Sequence, residues 1–514
     1  MSLTPKVTVR EIDETLVSET RTGKYPFFAG LFEKGPCYEP TFVYSAQDLY
    51  EKFGLPSKIN YNEWYQCYNF FQYQTKCLLV TRCVGENSYN SYISLPYNTP
   101  KKRFYNIEDF ELNKTIDANN IIQVYASSPG NWGNKIKVAI FTQAEIVKKS
   151  NILDNYYAHK IKSVLLDGQY CVCVFYDNRL VEQFVVKYDE VDNINGNSDY
   201  IFIINNFKDY KYYDGNIFWV DGNEILADGN LPNELKAVFY GSSILELSEG
   251  SSEEPSPNDI QEAYEDVIDG DEFNISFLIS NERNLNAAYQ LSSKTKIISV
   301  VNIPKDIEPL DFYDFTNENV IIYSNYKKQF DKESGKYRWI AFTGDIVGLK
   351  TYLMENVGLN ESYCKLTHLI QNVDDVYKKY NEVDVETLLL RNINVIQKTD
   401  IGTYLRTENL KTPSNIIKDL TNVVILRELE EQCENIALRY VFEQNDEYTR
   451  YNFKMQIDQI CEYFKSYNLI TDFKVVCDLT NNVQFENILN CDILYKPIYL
   501  TKFVNINVRA RVEI

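Results

Sequence analysis

A multidomain α/β protein interrupted by an all-β insert is predicted by three features of the chain. Apolar strand-like and helix-like segments alternate over residues 26–100 and again from 241 onward. That alternation implies a mainly parallel sheet with helices on its faces. From about Lys101 to Leu226, strand-like runs are separated by Asn, Asp and Gly turns, and helical periodicity is nearly absent. Finally, segments near both ends alternate apolar and polar residues with the period of a half-buried strand. At 514 residues the chain is long enough for several cores. The expected divisions are 1–25, 26–100, 101–240, 241–360 and 361–514.

Taken in order, Val7 and Val9 alternate with Thr8 and Arg10, the first extended arm. Ser45-Ala46-Gln47-Asp48 has capping-box spacing and opens a short helix that Gly54 ends. Trp64, Cys67, Tyr68 and Phe71 recur at i, i+3, i+4 and i+7, which predicts an amphipathic helix over 62–75. Cys77–Val84 reads as a strand buried on both faces. In the insert, Ile121–Tyr125, Ile136–Phe141, Tyr170–Tyr176 and Tyr200–Ile204 read as strands of a sandwich or small barrel. Ser248–Asn258 reads as an acidic linker. The carboxylates of Glu262–Glu272, among them Asp266, Asp269 and Asp271, read as a solvated face, because their spacing does not fit a calcium loop.

Alternation resumes with strand Ile275–Ile279, helix Asn284–Leu291, strands Ile297–Ile303 and Val320–Tyr323, and a helix around Gly344–Met354. In the last third, Leu426, Leu429, Cys433, Ile436 and Tyr440 mark one helix and 448–466 a second. Phe473–Cys477 is a strand, followed by loops. Val504, Ile506, Val508, Ala510, Val512 and Ile514 then share one parity, with Asn505, Asn507, Arg509, Arg511 and Glu513 on the other. Such a strand pairs within its own domain or adds to a neighbour's sheet edge, and the second option makes an assembly protein.

The net charge of −21, from 52 basic and 73 acidic residues, argues against direct nucleic-acid binding. No signal-peptide h-region opens the chain and no apolar run approaches the length of a membrane span, so a soluble protein without membrane insertion is expected. The 11 cysteines include no CxxC pair; Cys171 and Cys173 share one face of a strand. Buried thiols are the expectation, with an interchain disulfide involving Cys37 or Cys491 as the sharper alternative. Only two histidines, His159 and His368, are present, which disfavours triads and zinc sites. No GxGxxG, Walker A, GxSxG or HExxH motif occurs. Gly130-Asn131-Trp132-Gly133-Asn134-Lys135 precedes a strand, so a tight turn packed by Trp132 is favoured over a phosphate cradle. A glycosidase-like carboxylate pair stays open on sequence alone, although solvated charge accounts for the carboxylates better. The expectation is no catalytic, cofactor or metal residue. The 41 tyrosines fit both a compositional bias and interface contact.

An ordered series of short motifs resembles the contractile phage tail sheath family. Phe28-Ala29-Gly30, Glu33-Lys34-Gly35-Pro36, Glu39-Pro40 and Phe53-Gly54 resemble its opening, and Ser128-Pro129-Gly130 through Val138 the lead into its outer β domain. Thr343-Gly344 with Gly348 stands where the family has Pro-Ser-Gly, with Phe342 in the proline's place. Asn392–Ile396 with Gly402, Phe442-Glu443-Gln444-Asn445-Asp446 (Gln444 for a proline), Asp478 and Asn481-Asn482 complete the series. An acidic Ser/Glu/Pro loop replaces the family's Gly-rich segment before residue 258.

The resemblance implies an inner α/β core domain built from both chain ends, 1–25 with 361–514, and a subtilisin-like α/β middle domain from 26–100 with 241–360. The insertion at 101–240 then lies outermost. No histidine lies between Leu226 and Met354, so the subtilisin-like reading carries no protease triad. The implied protein polymerises as stacked hexameric rings into a helical sheath around a tail tube, with baseplate and tail terminator proteins as further partners. It belongs to the virion tail after assembly in the host cytoplasm, and contraction needs no cofactor. Val7, Val9, Val504, Ile506, Val508, Val512 and Ile514 are the expected inter-subunit arm residues, and helix 448–466 the candidate tube contact. The alternatives are the sheath of a phage-derived injection system, a static baseplate or shell component, or an enzyme with a carboxylate pair.

Overall fold

The computed structural model describes residues 24–95, 100–115, 122–142, 169–187, 191–205, 245–269, 273–312, 315–414, 418–482 and 487–502. Strand β1 (Tyr25–Gly30) is followed by β2 (Thr41–Val43), helix α1 (Ala46–Phe53), helix α2 (Tyr61–Phe70) and β3 (Leu78–Arg82). Ser45 caps α1 by accepting from the Asp48 amide at 3.0 Å, and Gly54 closes it at φ +78°, a conformation that favours glycine. All of β3 is buried, polar Thr81 and Arg82 included, as expected of a strand covered on both faces.

The chain next builds two small antiparallel sheets. β4 (Tyr92–Leu95), β5 (Ile122–Ala126) and β9 (Ile201–Asn205) form one, in the order β4-β5-β9. β6 (Ile136–Thr142), β7 (Gln169–Tyr176), β8 (Arg179–Lys187) and β10 (Leu245–Glu246) form the other, in the order β10-β6-β7-β8. Their inner faces share one core containing Val124, Trp132, Val138, Val172, Val174 and Ile203. The pairing of β4 and β10 carries this unit beyond the 101–240 span expected from composition. A short helix, α3 (Ile107–Asn113), is also present where none was expected; Asn106 caps it and Phe110 is its single buried anchor.

The join to the central sheet is made by Arg82, fully buried at the end of β3. Its guanidinium donates to the carbonyls of Phe32 (3.0 Å), Gly35 (2.9 Å) and Pro129 (2.7 Å) and to Ser128 Oγ (3.1 Å). The Gly130–Lys135 motif is a short 3-10 helix (Asn131–Lys135) entered through Gly130 at φ +139°, with Trp132 buried. The expected tight turn is thus a 3-10 helix, while the packing of Trp132 and the strand that follows are as expected.

Residues 257–269 form helix α4 (Pro257–Asp269), an element not assigned from sequence. Ile260, Ala263, Tyr264 and Val267 recur at i, i+3, i+4 and i+7 and are buried, while the carboxylates take the other face. β11 (Ile275–Ile279), α5 (Leu285–Lys294), β12 (Ile298–Asn302) and β13 (Asn317–Ser324) follow close to expectation. An unforeseen hairpin, β14 (Tyr326–Asp331) and β15 (Lys336–Ala341), precedes α6 (Thr343–Asn356) and β16 (Asp375–Val376), which pairs with β14. Then come α7 (Glu382–Leu390), β17 (Ile393–Lys398), β18 (Thr403–Leu405) and β19 (Leu410–Lys411).

The central sheet has nine strands, in the order β18-β17-β13-β12-β11-β1-β3-β2 with β19 against β13. Six of these, from β17 through β3, run parallel to their neighbours. Strand parity sorts the two faces. Phe28, Val80, Phe277, Val300, Ile321 and Tyr323 face α2 and α6. Phe27, Leu79 and Leu278 face α4 and α5, and Val320, Ile322 and Val395 face α7. The middle of the chain is thus a mixed α/β layer structure with helices on both sheet faces.

The last part comprises α8 (Leu420–Ala437), α9 (Glu447–Ser466), β20 (Ile470–Val476) and β21 (Asp492–Pro497). β21 replaces the loops expected after Cys477 and pairs antiparallel with β20, with Phe473 opposite Tyr495 and Val475 opposite Ile493.

Helices α2 and α6 touch backbone to backbone. A Cβ on Gly344 would lie 1.9 Å from the Gln66 carbonyl oxygen, and one on Gly348 would lie 2.7 Å from that of Phe70. Gly344→Ala is expected to cost about 1–3 kcal/mol, because the obstacle is backbone that cannot turn aside. Gly196, with nothing within 4 Å, serves as the neutral control. Thermal or urea unfolding of both variants checks this; equal stability would contradict the close packing.

Candidate assembly interface

Helix α9 opens at Asp446, whose side chain accepts from the Thr449 amide at 2.7 Å, and Arg450 ties the turn by donating to Asn445 O (3.0 Å) and Oδ1 (2.8 Å). Phe453, Ile457, Cys461 and Phe464 line one face of α9. They pack with Ile425 and Leu429 of α8 and with Ile470, Val475 and Ile493 of the hairpin. The preceding turn of α8 carries Leu420, Val423 and Val424 into the central core instead. One helix therefore serves two cores.

The β20–β21 sheet has two strands, and among the described residues neither outer edge carries a partner strand. Each edge presents a row of backbone donors and acceptors that a further strand can satisfy. Lys474, Leu494 and Lys496 lie exposed on the face turned from the helices. Lysines beside an open edge discourage indiscriminate pairing while leaving a register-specific strand free to add. Nearby, the outer surface of α9 and the turn before it expose Phe442 entirely, Tyr448 at 74 % and Tyr451 at 61 %. Exposed aromatics concentrated in this way suit a protein interface.

A belt of charge seals α8 to the central sheet. Lys24 bridges Glu428 (2.7 Å) and Glu431, Lys296 reaches Glu430 at 3.0 Å, and Arg427 binds Glu430 at 2.7 Å and Asn319 Oδ1 at 2.6 Å. Burial opposes ionisation of Glu428, yet hydrogen bonds from Lys24 and Gln432 outweigh it and hold the carboxyl below its usual range. Burial likewise works against charged Lys24, and its two carboxylate partners still raise it above the ordinary lysine value.

The expected arm residues Val7, Val9, Val504, Ile506, Val508, Val512 and Ile514 lie outside the described residues, as does His159. His368 is a packing residue, its Nδ1 3.1 Å from Ser362 O and its Nε2 3.5 Å from Glu361. Cys37 is fully buried with its thiol 3.3 Å from Arg82 Nη1, which removes it from any interface and corrects that candidate for an interchain disulfide. Cys491 stays half-buried on the hairpin. Thr343, Gly344 and Gly348 sit inside the α2–α6 contact. The segment Phe442–Asp446 shapes the turn and cap before α9, with Phe442 at φ +69°. Sequence reasoning missed β21, whose inward Ile493 and Tyr495 alternate with Asp492, Leu494 and Lys496; apolar Leu494 on the outer parity masks the pattern. Among the described residues no group of three or more His, Cys, Asp or Glu is placed to hold a metal ion. No helix among them is long and apolar enough to cross a membrane.

No protein-family model matches the chain. Its sequence is 31 % identical over 199 residues to the tail sheath protein of Vibrio phage KVP40, covering 36 % of this chain and 29 % of that protein. It is 24 % identical over 433 residues to the tail sheath protein of Enterobacteria phage T4, covering 73 % of this chain and 62 % of that protein. The matched part thus spans less than two thirds of either relative's length. In fold, the chain is similar to a sheath tail protein of Listeria innocua, with a TM-score of 0.56, 12 % identity, and coverage of 93 % of this chain and 96 % of that one. These findings support the phage tail sheath family for this chain.

Glu428 and Lys24 give the seam a definite pH dependence. With its carboxyl depressed when folded, Glu428 stabilises the protein above its unfolded value of 4.5, and this is lost as pH falls through the lower folded value. With Lys24 raised, its share is complete below 10.5 and is lost as pH rises through the higher folded value. Glu428→Gln is expected to lower stability by roughly 0.5–1 kcal/mol at neutral pH. In urea titrations against pH the gap to the unsubstituted protein should close in acid; a constant gap would contradict the assignment.

Proposed function

We propose that this chain is a structural protein of a contractile phage tail. Copies polymerise into a helical sheath of stacked hexameric rings around the tail tube, and the sheath shortens to drive the tube through the host envelope. Self-association is the primary partnership, with tube, baseplate and tail terminator proteins as the others, in a virion tail assembled in the host cytoplasm. The similarity to tail sheath proteins motivates the reading, and the open two-stranded sheet is the observation that carries it.

Segment 503–514 continues directly from the described chain near that sheet. Extended, its 12 residues reach about 40 Å, far enough to leave one subunit and enter another. Val504, Ile506, Val508, Val512 and Ile514 occupy one face, and Val7 and Val9 do the same in the other arm. Burying each gains roughly 1.5–3 kcal/mol, whereas ordering the backbone costs roughly 1–2 kcal/mol per residue. A single arm is near break-even. Ladder hydrogen bonds on the β20 and β21 edges, repeated through a polymer, tip the balance.

Arms of this kind keep subunits tied while their folded bodies slide. The extended sheath is then a trapped packing and contraction its release into a second one, with no nucleotide consumed. The β unit takes the outermost position and the C-terminal unit the innermost, where α9 is the candidate tube contact.

Negative-stain microscopy of the purified protein should show hollow striated tubes; dispersed monomers under all conditions would refute the reading. Deleting Phe503–Ile514 should leave folded, soluble monomer and abolish tubes. Tubes of unchanged abundance would dispose of the arm proposal.

A further inference from the structure

Four cysteines meet in the core shared by α8, α9 and the hairpin: Cys433, Cys461, Cys477 and Cys491. The last two sit where the hairpin opens into its connecting loop. Val476 pairs with Asp492, so one step further along the antiparallel register sets Cys477 opposite Cys491. Directly opposed residues have Cα atoms about 4.5–5.5 Å apart, inside the roughly 4.4–6.8 Å that a disulfide spans.

Side chains on both sides of the loop hold this register. Asn481 Nδ2 donates to Val476 O (2.8 Å) and Asp492 Oδ2 (2.9 Å). Asn482 Oδ1 accepts from the Asn490 amide (2.6 Å), and its Nδ2 donates to Asn490 O (2.8 Å). The base of the loop is therefore pinned across the two strands, and the facing thiols have little room to drift apart.

We propose that Cys477 and Cys491 form an intrachain disulfide when the protein meets a low-molecular-weight disulfide of the glutathione type, covalently closing the loop end of the β20–β21 hairpin. Half-buried Cys491 is the first to react: its thiolate attacks the small disulfide, forming a mixed disulfide and releasing one small thiolate. The Cys477 thiolate then attacks Cys491 Sγ and releases the second. The two protons leaving the cysteines convert these products to thiols, so one disulfide is reduced as one is formed. Burial pushes both thiols up, Cys491 to about 12, so the reaction is slow at neutral pH and faster in base. The proposal does not depend on polymerisation.

Incubating purified full-length protein with oxidised glutathione, alkylating the remaining thiols and mapping peptides by mass spectrometry tests it. The expected product is a single chain that has lost two hydrogens, with a linked Cys477–Cys491 peptide that reductant removes. Amide exchange in Val475, Val476 and Asp492 should slow by roughly tenfold or more on oxidation. In the Cys491→Ser variant, whose small polar side chain suits a half-exposed site, Cys477 should be recovered alkylated. Recovery of both thiols alkylated from the oxidised protein, pairing with Cys433 or Cys461, or a link between chains on a non-reducing gel would each overturn the proposal.

Discussion

Helix α8 belongs to two cores at once, and this sharing fixes where the open hairpin stands. Leu420, Val423 and Val424 are buried against the central sheet, and Ile425 and Leu429 against α9 and the hairpin. Each such side chain contributes roughly 1.5–3 kcal/mol. The ion pairs of Lys24, Lys296 and Arg427 along the same helix contribute roughly 0–1 kcal/mol apiece. Apolar burial therefore holds the joint, and the charges set its orientation. A strand added to β20 or β21 would pull on the central sheet through a packed helix rather than a loose linker.

The same logic explains why the two-stranded sheet persists. A lone hairpin is marginal in water. Here Ile470, Phe473, Val475, Ile493 and Tyr495 cover α8 and α9 from one side, so the helices stabilise the strands while neither outer edge carries a partner strand among the described residues. Where the β unit joins the central sheet, Arg82 performs a comparable service with polar chemistry. One buried guanidinium satisfies carbonyls from both the central body and the lead into the β unit. Its charge is dispersed over many acceptors, which is how a fully buried arginine becomes tolerable with no carboxylate partner among the described residues.

Much of the central sheet is legible because its strands obey simple rules: β3, β11 and β12 are short, largely apolar segments, and α1 has both its caps in the sequence. The failures have physical causes. From sequence helix α8 begins at Leu426, because Leu420 to Ile425, polar Thr421 and Asn422 among them, are all buried between two cores and so show no apolar stripe. Helix α4 carries a regular apolar stripe, but the density of carboxylates on its other face draws attention to charge. The β unit extends to β4 and β10 because strand pairing, which composition does not encode, decides where a sheet ends. Gly344 and Gly348 are spaced one helical turn apart; that they allow α2 to approach is visible only once the two helices are placed together. The site itself was half legible: the alternating arms stand out in the sequence, whereas the hairpin edge proposed to receive them does not.

The central claim is that the outer edges of β20 and β21 accept strands from other copies. Residue-resolved amide hydrogen exchange, compared between dispersed and assembled protein, addresses it most directly. The account predicts that outward-pointing amides of β20 and β21 exchange rapidly in the monomer and become protected on assembly, together with those of Val504 to Ile514. Edge amides that exchange equally fast in both states, while the particles remain intact, would contradict it.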